Sequence, residues 1–191
     1  KDENELQHML QTAIDYPGPA AIRYPRGNGA GAVLDDDFHT LPIGRGEVLR
    51  EGEDILLIAI GSAVQAAIGA AQRLEQEDIQ ATVLNARFIK PLDEDLILKW
   101  ARRTGRIITI EENVLQGGFG SALMEMFQEN HFFPKSMMRL GLPDSFVPHG
   151  SQVILRNLSG IDAEGIELAA HRLLQTGHGQ HLRAIGQTAG R

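Results

Sequence analysis

The chain has 191 residues, 42% of them hydrophobic and 23% charged, the balance of an ordinary water-soluble globular protein. Its net charge of -7 argues against a nucleic-acid footprint and against a membrane-surface role, because both need a basic face. The absence of cysteine excludes disulfides and thiolate metal sites, and is compatible with the cytoplasm, where the protein is expected to reside.

Asp2-Glu3-Asn4-Glu5 reads as an N-cap with a capping-box glutamate three residues on, and Leu6, Met9, Leu10, Ala13 and Ile14 then share one helical face. The helix follows Lys1 almost at once, so the chain is expected to be a piece of a longer protein. Tyr16-Pro17-Gly18 ends the helix. Pro19-Ala20-Ala21-Ile22 is predicted as a short strand leading into AIRYPRGNGAG, residues 21–31. From residue 44 the pattern becomes regular. Strands are predicted at 46–50, 55–60, 81–89, 106–111 and 135–142, and helices at 63–77, 93–104, 117–130, 151–158 and 162–174. The run Ile55-Leu56-Leu57-Ile58-Ala59-Ile60 is unbroken and apolar, as in the middle of a parallel sheet, yet is about a third of a bilayer span. Alternation of strand and helix calls for an α/β fold: a three-layer α/β/α sandwich with a mostly parallel sheet of about five strands. The expected organisation is the end of one domain over 1–30, a linker over 31–41, a complete domain over 42–174 and a flexible tail over 175–191.

Three clusters carry candidate chemistry. In the first, Gly27 lets the chain turn away directly after Tyr24-Pro25-Arg26. Arg26 therefore stands at a strand end, where α/β proteins place ligands, and a guanidinium there can hold a phosphate or carboxylate by two parallel hydrogen bonds. An interdomain salt bridge explains Arg23 and Arg26 equally well. In the second, Asp93 is an N-cap with Glu94 and Asp95 in the favourable first turn, and Pro91 stops the preceding strand. Arg87 is left over and is read as a structural ion pair. In the third, Glu111-Glu112-Asn113 precedes Gln116-Gly117-Gly118-Phe119-Gly120-Ser121. A dinucleotide loop is the weaker alternative, because Leu123 stands where the third glycine of G-x-G-x-x-G belongs. Close backbone packing at a domain or subunit boundary is the stronger, with Glu112, Gly117, Gly118 and Gly120 as interface candidates. The seven histidines form no metal set by spacing; His178 and His181 fall in the tail and His149 in a loop. No catalytic, cofactor-binding or metal-ligating residue is assigned.

Taken in order, DENELQHML, AIRYPRGNG, LPIGRGEVLREGED, NARFIKPLDEDLI, EENVLQGGFGSALME, LGLPDSFVPHG and LSGIDAEGI resemble the carboxy-terminal third of the 1-deoxy-D-xylulose-5-phosphate synthases, transketolase-like enzymes dependent on thiamine diphosphate. The resemblance runs from Lys1 to about Leu174. Single motifs are also similar to those of other transketolases and of 2-oxoacid dehydrogenase beta subunits, and a non-catalytic dimerisation domain is a further alternative. Residues 1–30 would then close the pyrimidine-binding domain and 42–174 would form the transketolase C-terminal-like domain. The family condenses pyruvate with glyceraldehyde 3-phosphate, with decarboxylation, to give 1-deoxy-D-xylulose 5-phosphate for isoprenoid, thiamine and pyridoxal synthesis. It uses thiamine diphosphate and magnesium. The resemblance implies a homodimer, contacts with upstream domains of the same polypeptide, and Arg26, with Arg23 second, as the ligand of the substrate phosphate. The Gly-Asp-Gly motif for diphosphate and magnesium is absent. The chain by itself is thus expected to lack turnover and tight cofactor binding, and to engage neither nucleic acid nor membrane.

Overall fold

The computed structural model describes residues 1–175; the expectations for 176–191, including His178 and His181, lie outside the described residues. The elements are α1 (Glu3–Asp15), β1 (Glu47–Arg50), β2 (Ile55–Ala59), α2 (Ala63–Glu75), β3 (Ala81–Asn85), α3 (Glu94–Thr104), β4 (Arg106–Val114), α4 (Phe119–Glu129), β5 (Ser136–Leu142), α5 (Gln152–Leu158) and α6 (Ala163–Gln175).

The five strands form one sheet in the order β1-β3-β2-β4-β5. β1 runs antiparallel to β3, and the other three pairings are parallel. Alternation along β2 divides the core in two. Ile55, Leu57 and Ala59 pack with α2 and α6, through Val64, Leu74, Ile166 and Leu173. Leu56 and Ile58 point the other way, onto α3 and α4, through Ile97, Trp100, Phe119 and Leu123. A sheet covered on both faces needs continuous apolar strands, and every residue of β2 is fully buried. The chain is therefore the expected three-layer α/β/α sandwich.

Local signals set the helix ends. Asp2 accepts from the Glu5 amide at 2.8 Å and caps α1. Asp93 accepts from the amides of Leu96 and Gly46, at 3.2 and 3.0 Å, so the N-cap of α3 also fixes the approach to β1. Gly105 closes α3 at φ 68°, a left-handed position that suits glycine.

The structure departs from the sequence reading in three places. Residues 19–22 form no strand: they are mostly exposed, and no described strand pairs with them to complete a ladder. The apolar stripe of α1 is also not the face that docks. Glu5, His8 and Thr12 are buried, whereas Leu10 and Ile14 are 45% and 76% exposed. Polar tethers decide the docking. The carboxylate of Glu3 accepts from the amides of Ala30, Gly31 and Ala32, Asn4 and His8 bind Asp35, and Thr12 accepts from the Leu41 amide. The segment read as a linker is thus strapped to the polar side of α1. β3 is shorter than expected, ending at Asn85, because Arg87 turns out of the ladder at φ 56°.

Candidate functional site

The parallel strands β2, β3 and β4 share one carboxyl edge, and the chain brings polar groups to it from four directions. β2 ends into Gly61-Ser62, β3 into Ala86-Arg87 and β4 into the stretch that begins at Glu111; α1 and the segment after it lie across the same edge. In an open α/β sheet this edge is where backbone groups and helix starts converge, so it is the natural place for a ligand or a second domain.

At the β3 end, Arg87 is held between two carboxylates. Its Nε donates to Glu5 at 2.7 Å and its terminal nitrogen to Glu47 at 2.9 Å. Asn85 donates to the same Glu5 carboxylate at 2.8 Å. Burial pushes Glu5 up, but the chain's amino terminus, Arg87 and Lys1 outweigh it and hold the carboxyl at about 2. Arg87 is therefore the structural ion pair expected from the sequence, and it joins α1 to the sheet.

At the β4 end, the two acidic neighbours have separate tasks. Glu111 is buried and turns inward; its carboxylate accepts from the amides of Phe119 and Gly120, at 2.7 and 2.8 Å, and so caps α4. Those are the amides a phosphate would use at a glycine-rich helix start, and the dinucleotide-loop alternative is closed by their engagement. Gly118 and Gly120 are buried against the sheet. A side chain at 120 would stand 2.7 Å from Thr109 Oγ1 and 2.8 Å from Arg139, and one at 118 would overlap Glu111 and the Val114 carbonyl. Gly117 is exposed at φ 67° with open space around its Cα. Glu112 points to the edge, where it accepts from Ser62 and, at 2.9 Å, from Arg156 of α5.

The two arginines of RYPRG, Arg23 and Arg26, lie at this edge and behave differently. Arg23 donates to the Glu112 carbonyl at 3.3 Å. The Arg26 carbonyl accepts from Gln152 at 2.5 Å, while its exposed guanidinium has no partner among the described residues. The structure thus brings Arg23 to Glu112 and α5, and leaves Arg26 as an available cation beside them. Ser62, Gln152 and Arg156 were not singled out from the sequence. Gln152 and Arg156 share α5, but Ser62 and the YPRG segment lie far from them in sequence, and no spacing rule connects elements that meet only in the fold.

Spacing likewise did not reveal two groups whose ligand atoms lie within 4.8 Å of one another: His8, Asp35 and His39, and Glu77, Glu167 and His171. In the first, the rings stack at 3.6 Å, the His39 amide donates to His8 Nδ1 at 3.3 Å and His8 Nε2 lies 2.8 Å from Asp35, so both ring nitrogens of His8 already have partners. In the second, Glu167 is already paired with Arg73 at 2.5 Å.

Fold and edge together define a mostly parallel α/β sandwich whose carboxyl edge carries the exposed Arg26, its guanidinium without a partner among the described residues. The chain belongs to the transketolase C-terminal domain family, whose model matches residues 44–166. It is 54% identical over 173 residues to a 1-deoxy-D-xylulose-5-phosphate synthase of Heliobacterium modesticaldum, across 91% of this chain and 27% of that one. It is 57% identical over 166 residues to synthase 1 of Geobacter metallireducens, across 87% and 27%. With the synthase of Pelotomaculum thermopropionicum it shares 48% over 190 residues, across 99% and 30%. The resemblance drawn from the motifs is borne out, and the chain spans between a quarter and a third of the length of these curated relatives. Among solved structures, a split-gene transketolase described as an inactive beta4 tetramer is similar, with a TM-score of 0.66 and 34% identity over 71% of this chain and 44% of that one.

The thiamine diphosphate and magnesium implied by the resemblance do not fit the residues described here. The glycine-rich helix start is filled by Glu111, and the carboxylates nearest the edge, Glu5 and Glu112, are committed to arginines. Among the described residues, no helix is long and apolar enough to cross a membrane.

Proposed function

We propose that the chain is the carboxy-terminal part of a 1-deoxy-D-xylulose-5-phosphate synthase. The whole enzyme then joins pyruvate to glyceraldehyde 3-phosphate with loss of carbon dioxide, as a cytoplasmic homodimer feeding isoprenoid, thiamine and pyridoxal synthesis. Thiamine diphosphate supplies the electron sink for decarboxylation and is held, with magnesium, by parts of the enzyme outside these 191 residues. The chain contributes one end of the substrate site. The Arg26 guanidinium takes the phosphate of glyceraldehyde 3-phosphate through paired, charge-assisted hydrogen bonds, and Arg23 anchors the turn that presents it. The reading is supported most directly by the exposed Arg26 guanidinium, left without a partner among the described residues while its own carbonyl is tied down. A second reading, a domain of another thiamine-dependent enzyme that serves assembly, shares the fold but leaves the Arg26 guanidinium without a task.

The test is steady-state kinetics of Arg26→Ala in the full-length polypeptide. Loss of a charge-assisted pair in a closed site costs roughly 2–4 kcal/mol, so KM for glyceraldehyde 3-phosphate should rise at least about thirtyfold, with far less change in KM for pyruvate. An equal rise for both substrates would assign Arg26 to structure instead.

A further inference from the structure

Residues 17–29 reach the edge without a strand ladder and largely exposed, so neither the sheet nor the core dictates where Arg26 stands. Polar tethers must supply that, and the structure shows two. The Arg23 bond to the Glu112 carbonyl is long, at 3.3 Å, and joins through a flexible side chain. The other joins the backbone of Arg26 itself: Gln152 Nε2 donates to its carbonyl at 2.5 Å, across 126 positions of sequence. Gln152 is well placed for this, being the first residue of α5, directly after the Ser151 N-cap. Its amide also lies close to Gly27. A Cβ at 27 would stand 3.0 Å from Gln152 Nε2 and 3.1 Å from Oε1, so even alanine would push the amide away from the carbonyl it holds. α5 is itself tied to the edge, through Arg156 and Glu112. Resting on the reading of Arg26 above, we infer that Gln152 is the positioning residue of the phosphate subsite: it fixes the Arg26 backbone so that the guanidinium meets the phosphate of an incoming phosphorylated aldehyde, and Gly27 is small to admit it.

The experiment is a kinetic cycle in the full-length enzyme with Arg26→Ala, Gln152→Ala, Gln152→Glu and the double variant R26A/Q152A. KM for glyceraldehyde 3-phosphate and for pyruvate, kcat and melting temperature are measured for each. Losing one neutral tether should raise KM for glyceraldehyde 3-phosphate by roughly fivefold, while kcat and KM for pyruvate hold. Gln152→Glu keeps the shape but removes the donor, and should reproduce the effect with no loss of melting temperature. Because Gln152 acts through Arg26, Q152A should add nothing in the R26A background. A multiplicative effect in the double variant, an unchanged KM in both Gln152 variants, or a parallel rise for both substrates would overturn the inference. Should R26A alone leave KM for glyceraldehyde 3-phosphate unchanged, the phosphate reading of Arg26 fails first. A rise in R26A with none in Q152A or Q152E refutes the role of Gln152 only.

Discussion

Glu111 is 1% exposed, and its two carboxylate oxygens satisfy two amides at the start of α4 that no backbone carbonyl can reach. Glu111→Ala leaves both donors buried and unpaired, at about 1–3 kcal/mol each before relaxation. The variant should lose about 3 kcal/mol, and its melting temperature should fall by about 10 °C for a domain of this size. An unchanged melt would mean that the amides have another acceptor. Gly118→Ala should cost a similar amount for a different reason. At φ -82° its backbone suits any residue, but a Cβ would overlap the Glu111 carboxylate and the Val114 carbonyl. This site was half legible. The glycines announced close packing; the partner, in the strand before them, did not announce itself, since a carboxylate at a strand end reads equally as surface charge. Glu112 shows the same ambiguity resolved the other way, as it turns outward to Ser62 and Arg156.

The strands and helices of the sandwich were legible from local signals: an unbroken apolar run for β2, a 3.6-residue stripe and an N-cap for α3. α1 was legible as a helix but not in its orientation, since a stripe of Leu6, Met9, Leu10, Ala13 and Ile14 says which face is apolar, not which neighbour is present. With no described core beyond that stripe, the polar side wins the contact through Glu5, Asn85 and Arg87. The extent of β3 was illegible for a related reason: the positive φ of Arg87 is imposed by the carboxylates it must reach, and those lie 82 and 40 positions away. The docking of α1 should be sensitive to acid. Glu5 has its folded value held at about 2 against an ordinary 4.5, so its contribution is fully present above pH 4.5 and is lost as pH falls towards 2. The full shift corresponds to about 3 kcal/mol as an upper limit. Melting temperature followed from pH 7 down to 2 should therefore decline more steeply for the parent chain than for Glu5→Gln. Parallel curves would show that the carboxylate contributes nothing to docking.

On the scale of the whole chain, burial and coverage point the same way. The domain that matches the family model exposes apolar side chains mainly in loops and on α5, such as Phe133, Phe146 and Val153, whereas α1 directs Leu10 and Ile14 of one helical stripe at solvent, and the chain spans only 27% of its Heliobacterium relative. A helix that spends its polar face on its own domain and leaves an apolar stripe uncovered is built to be covered from the other side. If a longer polypeptide of the length of these relatives supplies that cover, the same substitution must have two different consequences. In the 191-residue chain, Leu10→Ser with Ile14→Ser removes little buried area and should shift stability by no more than about 0.5 kcal/mol. In the full-length polypeptide the two side chains become interior, and the same pair of changes should cost about 3 kcal/mol. Paired thermal melts of the short and long forms, each with and without the double change, separate the cases. Equal losses in both forms would place the stripe within this chain's own fold, while no loss in either would leave it a surface feature. A loss confined to the long form makes α1 the hinge element of the molecule: its polar side belongs to the sandwich through Glu5 and Arg87, and its apolar side to the domain that precedes it.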